Sequence, residues 1–258
     1  MIPLADVHCH LLAGLDDGPQ TWEDAVGMCK IAWEDGAKAI AATAHQNEHY
    51  PNVTAERILE ATAELEKRLR SEQIAISVFP TAEVMISPSI EADLAEKKLL
   101  TVANTGRYLL VELPSGIFFD LRDMVTSLVE MGVRPILAHP ERHPEFLQGN
   151  GTIEELILRG CVVQVSADSV MQDRYPQFAA DLRSWARRNV IHLIGSDGHS
   201  TTRRPPGMST AHSVLAQWTD GATADRICSD NGMAVFEGRP LQLPRPRPKR
   251  NRWFSRRA

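Results

Sequence analysis

Short apolar runs alternate with amphipathic segments along the whole chain. Seven runs, at 5–9, 39–43, 74–81, 108–112, 135–138, 162–165 and 191–194, are rich in Ala, Val, Ile and Leu with little polar alternation. That is the pattern of strands covered on both faces. Between them lie helical segments with recognisable ends. Thr21-Trp22-Glu23-Asp24 has the form of a capping box and opens a helix that closes at Gly36, and Thr54 opens a long charged helix reaching about Glu72. Segments 120–131 and 152–159 run into Gly132 and Gly160, 178–188 precedes the last strand, and 209–218 and 223–229 follow it. Repeated β–α alternation predicts a parallel sheet with helices outside. The first turn reads HCHLLAGLDDG at 8–18 rather than G-x-G-x-x-G, so a dinucleotide site has no support. Seven such units without a phosphate loop predict an α/β fold, a distorted seven-stranded (β/α)7 TIM-like barrel. One domain, residues 1–243, is expected, followed by a flexible Pro/Arg-rich tail at 244–258.

Composition narrows the class. With 43% hydrophobic and 24% charged residues among 258, the chain can bury a large core and is no disordered polymer. Cys9, Cys29, Cys161 and Cys228 are far apart with no C-x-x-C pair, which excludes a zinc ribbon or disulfide scaffold and fits a reducing compartment. No apolar run is long enough to span a bilayer, and MIPLADVHCH carries no leader-like basic region, so a cytoplasmic protein is expected. The formal charge of −5 hides an asymmetry: the tail carries seven basic residues and no acid, leaving the body at −12. An acidic body with a basic tail is unlike a nucleic-acid binder; the tail suits an anionic membrane surface or acidic partner.

Residues with ligand chemistry gather at the C-terminal strand ends, the face where parallel barrels build their sites. Strand one runs into Asp6, His8, His10 and then Asp16-Asp17; strands two to four end at His45, Glu83 and Glu112; strand five ends at His139 to Arg142, and the last at Asp197 and His199. Residues two apart on a strand share a face, so His8 with His10, and Asp197 with His199, are each expected to reach one cation. Imidazole with carboxylate suits Zn, Mn or Fe. Five histidines (8, 10, 45, 139, 199) and four carboxylates (Asp17, Glu83, Glu112, Asp197) exceed what one ion needs. Three divalent ions against four carboxylates leave two positive charges, which a phosphate monoester dianion neutralises, and Arg142 and Arg204 add forked donors. Divalent ions also activate water near neutral pH and shield charge developing on phosphorus, so phosphate ester hydrolysis is the leading chemistry. A Cys-x5-Arg thiol phosphatase is excluded, because Leu15, Asp35, Ala167 and Ala234 stand six positions after the cysteines.

The ordered motifs DVHCH (6–10), LDDGP (15–19), TAH (43–45), AEV (82–84), VELP (111–114), LAHPER (137–142), SDGH (196–199) and RRPP (203–206) resemble the polymerase-and-histidinol-phosphatase (PHP) superfamily. Within it the chain is most similar to the bacterial manganese-dependent tyrosine-protein phosphatases encoded beside capsule and exopolysaccharide genes. The resemblance covers the chain to about residue 240. It implies three divalent ions, manganese first with Fe or Zn as substitutes: one on His8, His10, Glu83 and Asp197, one on Glu83, Glu112 and His139, and one on Asp17, His45 and His199. Arg142 and Arg204 take the phosphate-binding positions, and Asp17 is preferred over Asp16. The implied substrate is the phosphotyrosine-bearing C-terminal tail of a membrane-associated tyrosine kinase controlling polysaccharide export. A PHP-type phosphatase of a small metabolite and a poorly catalytic kinase-binding protein are the competing readings. The segment QNEHYPN after His45 departs from the family pattern, and the tail beyond Pro244 has no counterpart in it. Asp6 is expected to support ligands rather than to be one, and Glu141 to be a surface or supporting acid. Asp168 is expected to be structural lining, Cys9 buried packing, and His49, His143, His192 and His212 surface or packing residues.

Overall fold

Seven parallel strands pair in sequence order, β1 to β7. A computed structural model of the chain describes residues 2–148, 151–171 and 175–248. The strands are β1 Leu4–Asp6, β2 Ala37–Gln46, β3 Ser77–Met85, β4 Tyr108–Glu112, β5 Arg134–Ala138, β6 Val162–Ser166 and β7 Leu193–Gly195. Around them run α1 Trp22–Glu34, α2 Ala55–Ser71, α3 Ile90–Ala95, α4 Arg122–Glu130, α5 Pro144–Leu147, α6 Thr152–Leu158 and α7 Ala167–Met171. The series ends with α8 Pro176–Arg187, α9 Ser209–Trp218, α10 Gly221–Asp225 and α11 Asn231–Phe236. The caps read from sequence form: the Thr21 and Thr54 hydroxyls accept from Asp24 N and Arg57 N. None of the helices is long and apolar enough, among the described residues, to cross a membrane.

Strand side chains alternate between two environments, and this alternation builds the site. Ile40, Ala42, Leu109, Val111 and Val163 pack outward with Met28 and Cys29 of α1 and Ile58 and Leu65 of α2. Each fully buried Val, Leu, Ile or Met among them contributes about 1.5–3 kcal/mol. The intervening Ala39, Ala41, Tyr108, Leu110, Ile136, Ala138 and Val162 pack inside the barrel. Phe236 of α11 closes the lower end, stacked 4.3 Å from Phe79, and the Tyr108 hydroxyl donates to the Arg239 carbonyl at 2.8 Å. Following the inner row upward with period two gives Thr43 and His45, Thr81 and Glu83, Glu112, and Gln164 and Ser166. The apolar bottom of each row becomes a polar top at the C-terminal ends.

Several predicted boundaries are corrected. The third strand begins at Ser77 rather than 74, because Gln73, at φ +57°, turns the chain out of α2 and Ile74 N bonds back to the Leu69 carbonyl at 3.0 Å. The first strand ends at Asp6 rather than 9. The segment at 223–229 is the middle of a longer helical run, in which a π-helical stretch Arg226–Asp230 joins α10 to α11. The short helices α3, α5 and α7 lacked the length for their periodicity to be read. At the start of the basic segment, Arg247 N donates to the Arg188 carbonyl at 2.8 Å, and Asn189 Nδ2 to the Arg245 carbonyl at 3.2 Å. Residues 249–258 of the expected tail lie outside the described residues.

Candidate metal centre

The barrel is nearly closed, and its seam is part of the site. No ladder joins β7 to β1 among the described residues; the chain beyond both strands does the joining. Asp197 N donates to the His8 carbonyl at 2.7 Å and His10 N to Gly198 O at 2.9 Å, while Thr43 N to Cys9 O at 2.9 Å carries the β1–β2 pairing past the end of β1. Asp6 reinforces the seam, its Oδ1 accepting from Ser196 N at 2.8 Å and His8 N at 3.2 Å. Burial raises its carboxyl to about 6. Gly195 permits the close approach, since a Cβ there would lie 2.5 Å from the His8 Cβ. The expected strand alternation of Asp197 and His199 is corrected: Asp197 lies past β7 in a left-handed conformation, φ +53°, and the turn brings both side chains in. His139 is also left-handed, φ +34°.

All nine candidate ligands converge. Donor atoms of His10, Asp17, His45 and His199 lie within 4.8 Å of one another, as do those of His8, His10 and Asp197, of His8, Glu83 and His139, and of His45, Glu83 and Glu112. Glu83 is the centre. Its Oε2 sits 3.2 Å from His8 Nε2, His10 Nε2 and His45 Nδ1, and its Oε1 2.8 Å from His139 Nε2. The groupings overlap those implied by the resemblance without being identical. His10 also faces Asp17, His45 and His199, and His139 is grouped with His8 rather than with Glu112.

The donor chemistry fits divalent cations. His8 Nδ1 faces Gln164 Oε1 at 3.0 Å and His10 Nδ1 faces Asp16 Oδ2 at 2.7 Å. Neither oxygen can donate, so each ring carries its proton on Nδ1 and turns a lone pair out on Nε2. Those two lone pairs face each other at 3.2 Å, an arrangement that a shared cation resolves. His45 Nδ1 and Glu112 Oε1 are likewise buried with no hydrogen bond, 3.1 Å apart. Asp16 holds neighbouring groups in place: besides facing His10 it accepts from Gly18 N at 2.9 Å and His45 N at 2.9 Å.

Both arginines reach the same carboxylate. Arg142 and Arg204 each direct Nη2 at Asp197 Oδ2, the latter at 2.5 Å, and Arg142 also reaches Ser166 Oγ at 3.0 Å. Their side chains are 44% and 46% exposed, so they stand at the rim with forks open to an anion. Of the two alternatives expected for Glu141, surface or supporting acid, the structure has the second: it is buried and accepts from Ser166 N at 2.9 Å. His192 is buried packing whose Nδ1 accepts from Val163 N at 3.0 Å, and His212 pairs with Asp225 at 2.8 Å. His143 is buried and lines the cavity beside the site. Gln164 escaped sequence analysis, although one polar residue inside the apolar run Val-Val-Gln-Val was its signal.

Fold and cluster together define a parallel α/β barrel with histidine and carboxylate donors gathered at its C-terminal mouth. A family model described as capsular polysaccharide synthesis, CpsB/CapC, matches residues 4–237, and the chain belongs to that family. It is 29% identical over 262 residues to the tyrosine-protein phosphatase YwqE of Bacillus subtilis (strain 168), covering 98% of this chain and 99% of the relative. It is 24% identical over 240 residues to the tyrosine-protein phosphatase CpsB of Streptococcus pneumoniae, covering 90% and 98%. A solved structure from work on YwqE and CpsB, described as unique metal-dependent tyrosine phosphatases, superposes with a TM-score of 0.87 at 27% identity, covering 95% of this chain and 99% of that one. A lactonase from Listeria monocytogenes shares the fold alone, at a TM-score of 0.53 and 11% identity over 91% and 94%.

Proposed function

We propose that this chain is a metal-dependent phosphatase that hydrolyses phosphotyrosine in a protein. The observation that carries the reading is the pair of arginine forks, Arg142 and Arg204, meeting at Asp197 on the rim of a nine-ligand cluster. His8, His10, Asp17, His45, Glu83, Glu112, His139, Asp197 and His199 would hold the ions, three in number and manganese by preference. Bound divalent ions supply Lewis acidity and water activated near neutral pH. The chain's own residues do the rest. Gln164 and Asp16 fix the tautomers of His8 and His10, so that both rings present lone pairs inward. Arg142 and Arg204 bind the equatorial phosphate oxygens through charge-assisted hydrogen bonds and orient the ester for in-line attack. The leaving phenol, with a pKa of about 10, departs more readily than an alkyl alcohol and needs no strong general acid. The family's description as capsular polysaccharide synthesis supports a substrate on that machinery. We assign it to the phosphotyrosine tail of a membrane-associated tyrosine kinase, met in the cytoplasm.

The test compares substrates on the full chain supplied with manganese. A phosphotyrosine peptide is expected to be hydrolysed with a kcat/KM at least tenfold above that of a small alkyl phosphate such as histidinol phosphate. The reverse order would transfer the chain to metabolite phosphatases. Negligible turnover with tight kinase binding would make it a recruiting protein.

A further inference from the structure

Residues 46–51 form a wall of a cavity of about 1180 Å³ that opens beside His45, Glu112, His139 and Arg142. A site for one small ligand needs about 300–1,000 Å³, so this groove accommodates more than a phosphotyrosine side chain. Tyr50 lies parallel to the His45 ring, 3° between planes and 5.6 Å between centroids, and carries an aromatic face out from the cluster. Another part of the lining comes from the loop after β4, where Leu113 is buried and Ile117 is 56% exposed. The groove is built in advance. Gln46 Nε2 donates to the Lys98 carbonyl at 2.8 Å and Gln46 Oε1 accepts from Leu100 N at 3.1 Å, which ties the 98–100 wall to the end of β2. A preformed wall lowers the ordering cost of binding.

We propose that this groove binds an extended polypeptide segment around the phosphotyrosine and seats an apolar side chain flanking it against Ile117. The inference rests on the phosphatase reading above and adds which sequences the site prefers. Three observations favour a peptide with apolar flanks. The groove is continuous with the phosphate-binding end, since Arg142 and His139 line it. Ile117 leaves a large aliphatic surface in water at its rim, and covering it with an apolar side chain removes that surface from water at about 25 cal/mol per Å². Among the charged lining residues away from the cluster, Asp93 and Lys98 pair with each other at 3.4 Å, which leaves the Glu48 carboxylate to disfavour acidic flanks.

A double-mutant cycle decides it. The full chain and its Ile117→Ser and Ile117→Val variants are assayed with two phosphotyrosine peptides, identical except for Leu or Ser on both sides of the phosphotyrosine. The wild type is expected to prefer the Leu peptide in kcat/KM by about fivefold or more, the ratio that roughly 1 kcal/mol produces. Ile117→Ser should erase that preference and Ile117→Val should keep most of it. Equal kcat/KM for the two peptides in the wild type, or a preference unchanged by Ile117→Ser, overturns the groove assignment while leaving the phosphatase reading intact. Failure of the wild type to hydrolyse either peptide overturns the phosphatase reading itself, and this inference with it.

Discussion

Glu83→Gln is expected to lower hydrolysis of a phosphotyrosine peptide by about a thousandfold or more, the largest loss for any single isosteric change in this chain. The reason is its position. One carboxylate faces four histidine nitrogens, His8, His10 and His45 through Oε2 and His139 through Oε1, all within 3.2 Å. A carboxamide keeps the size but replaces one anionic oxygen by an NH2 group that cannot ligate, and it removes one of four charges balancing the cations. Because the side chain is 1% exposed, solvent cannot compensate. Steady-state kinetics with circular dichroism checks this: the far-ultraviolet spectrum should match the wild type while turnover and bound metal both fall. Turnover within tenfold of the wild type would remove Glu83 from the centre of the cluster.

Arg142→Ala and Arg204→Ala are each expected to lower kcat/KM about a hundredfold, the usual loss when one donor to developing phosphate charge is removed. Both forks already converge on a single oxygen of Asp197, so they act as a unit. The double variant should therefore lose less than the product of the single losses. Lysine at either position should recover only part of the activity, because a point charge lacks the planar fork. Metal content should stay within a fraction of an ion of the wild type, which separates anion capture from ligation. Retention of activity within threefold in both single variants would take the arginines out of the phosphate site.

Much of this was legible in the sequence because the two-residue alternation of strand side chains carries through to the strand ends. Strand residues alternate, so a parallel barrel with apolar inner rows had to place its last inward residues at the mouth; His45 and Glu112 are the last of their rows, and Glu83 stands one inward position before the end of β3. The strand reasoning failed at the seam. His8, His10, Asp197 and His199 lie beyond the ends of β1 and β7, and their approach is set by backbone bonds between 8–10 and 197–198 and by a left-handed Asp197. Those are long-range contacts that no local pattern encodes. The supporting groups were harder still. Asp16 adjoins Asp17 and has the same chemistry, and only the fold shows that one carboxylate turns toward His10 Nδ1 while the other joins His45 and His199. Tyr50 and Ile117, on loops far apart in sequence, become neighbours of the site only once the barrel is formed.

The most direct test is to weigh the metal. The purified full chain, equilibrated with manganese and freed of excess ion, should retain close to three divalent ions per molecule by elemental analysis, and stripping them with a chelator should abolish phosphate ester hydrolysis until manganese is restored. A chain that holds less than one ion, or that hydrolyses the ester equally well when stripped, would contradict the account.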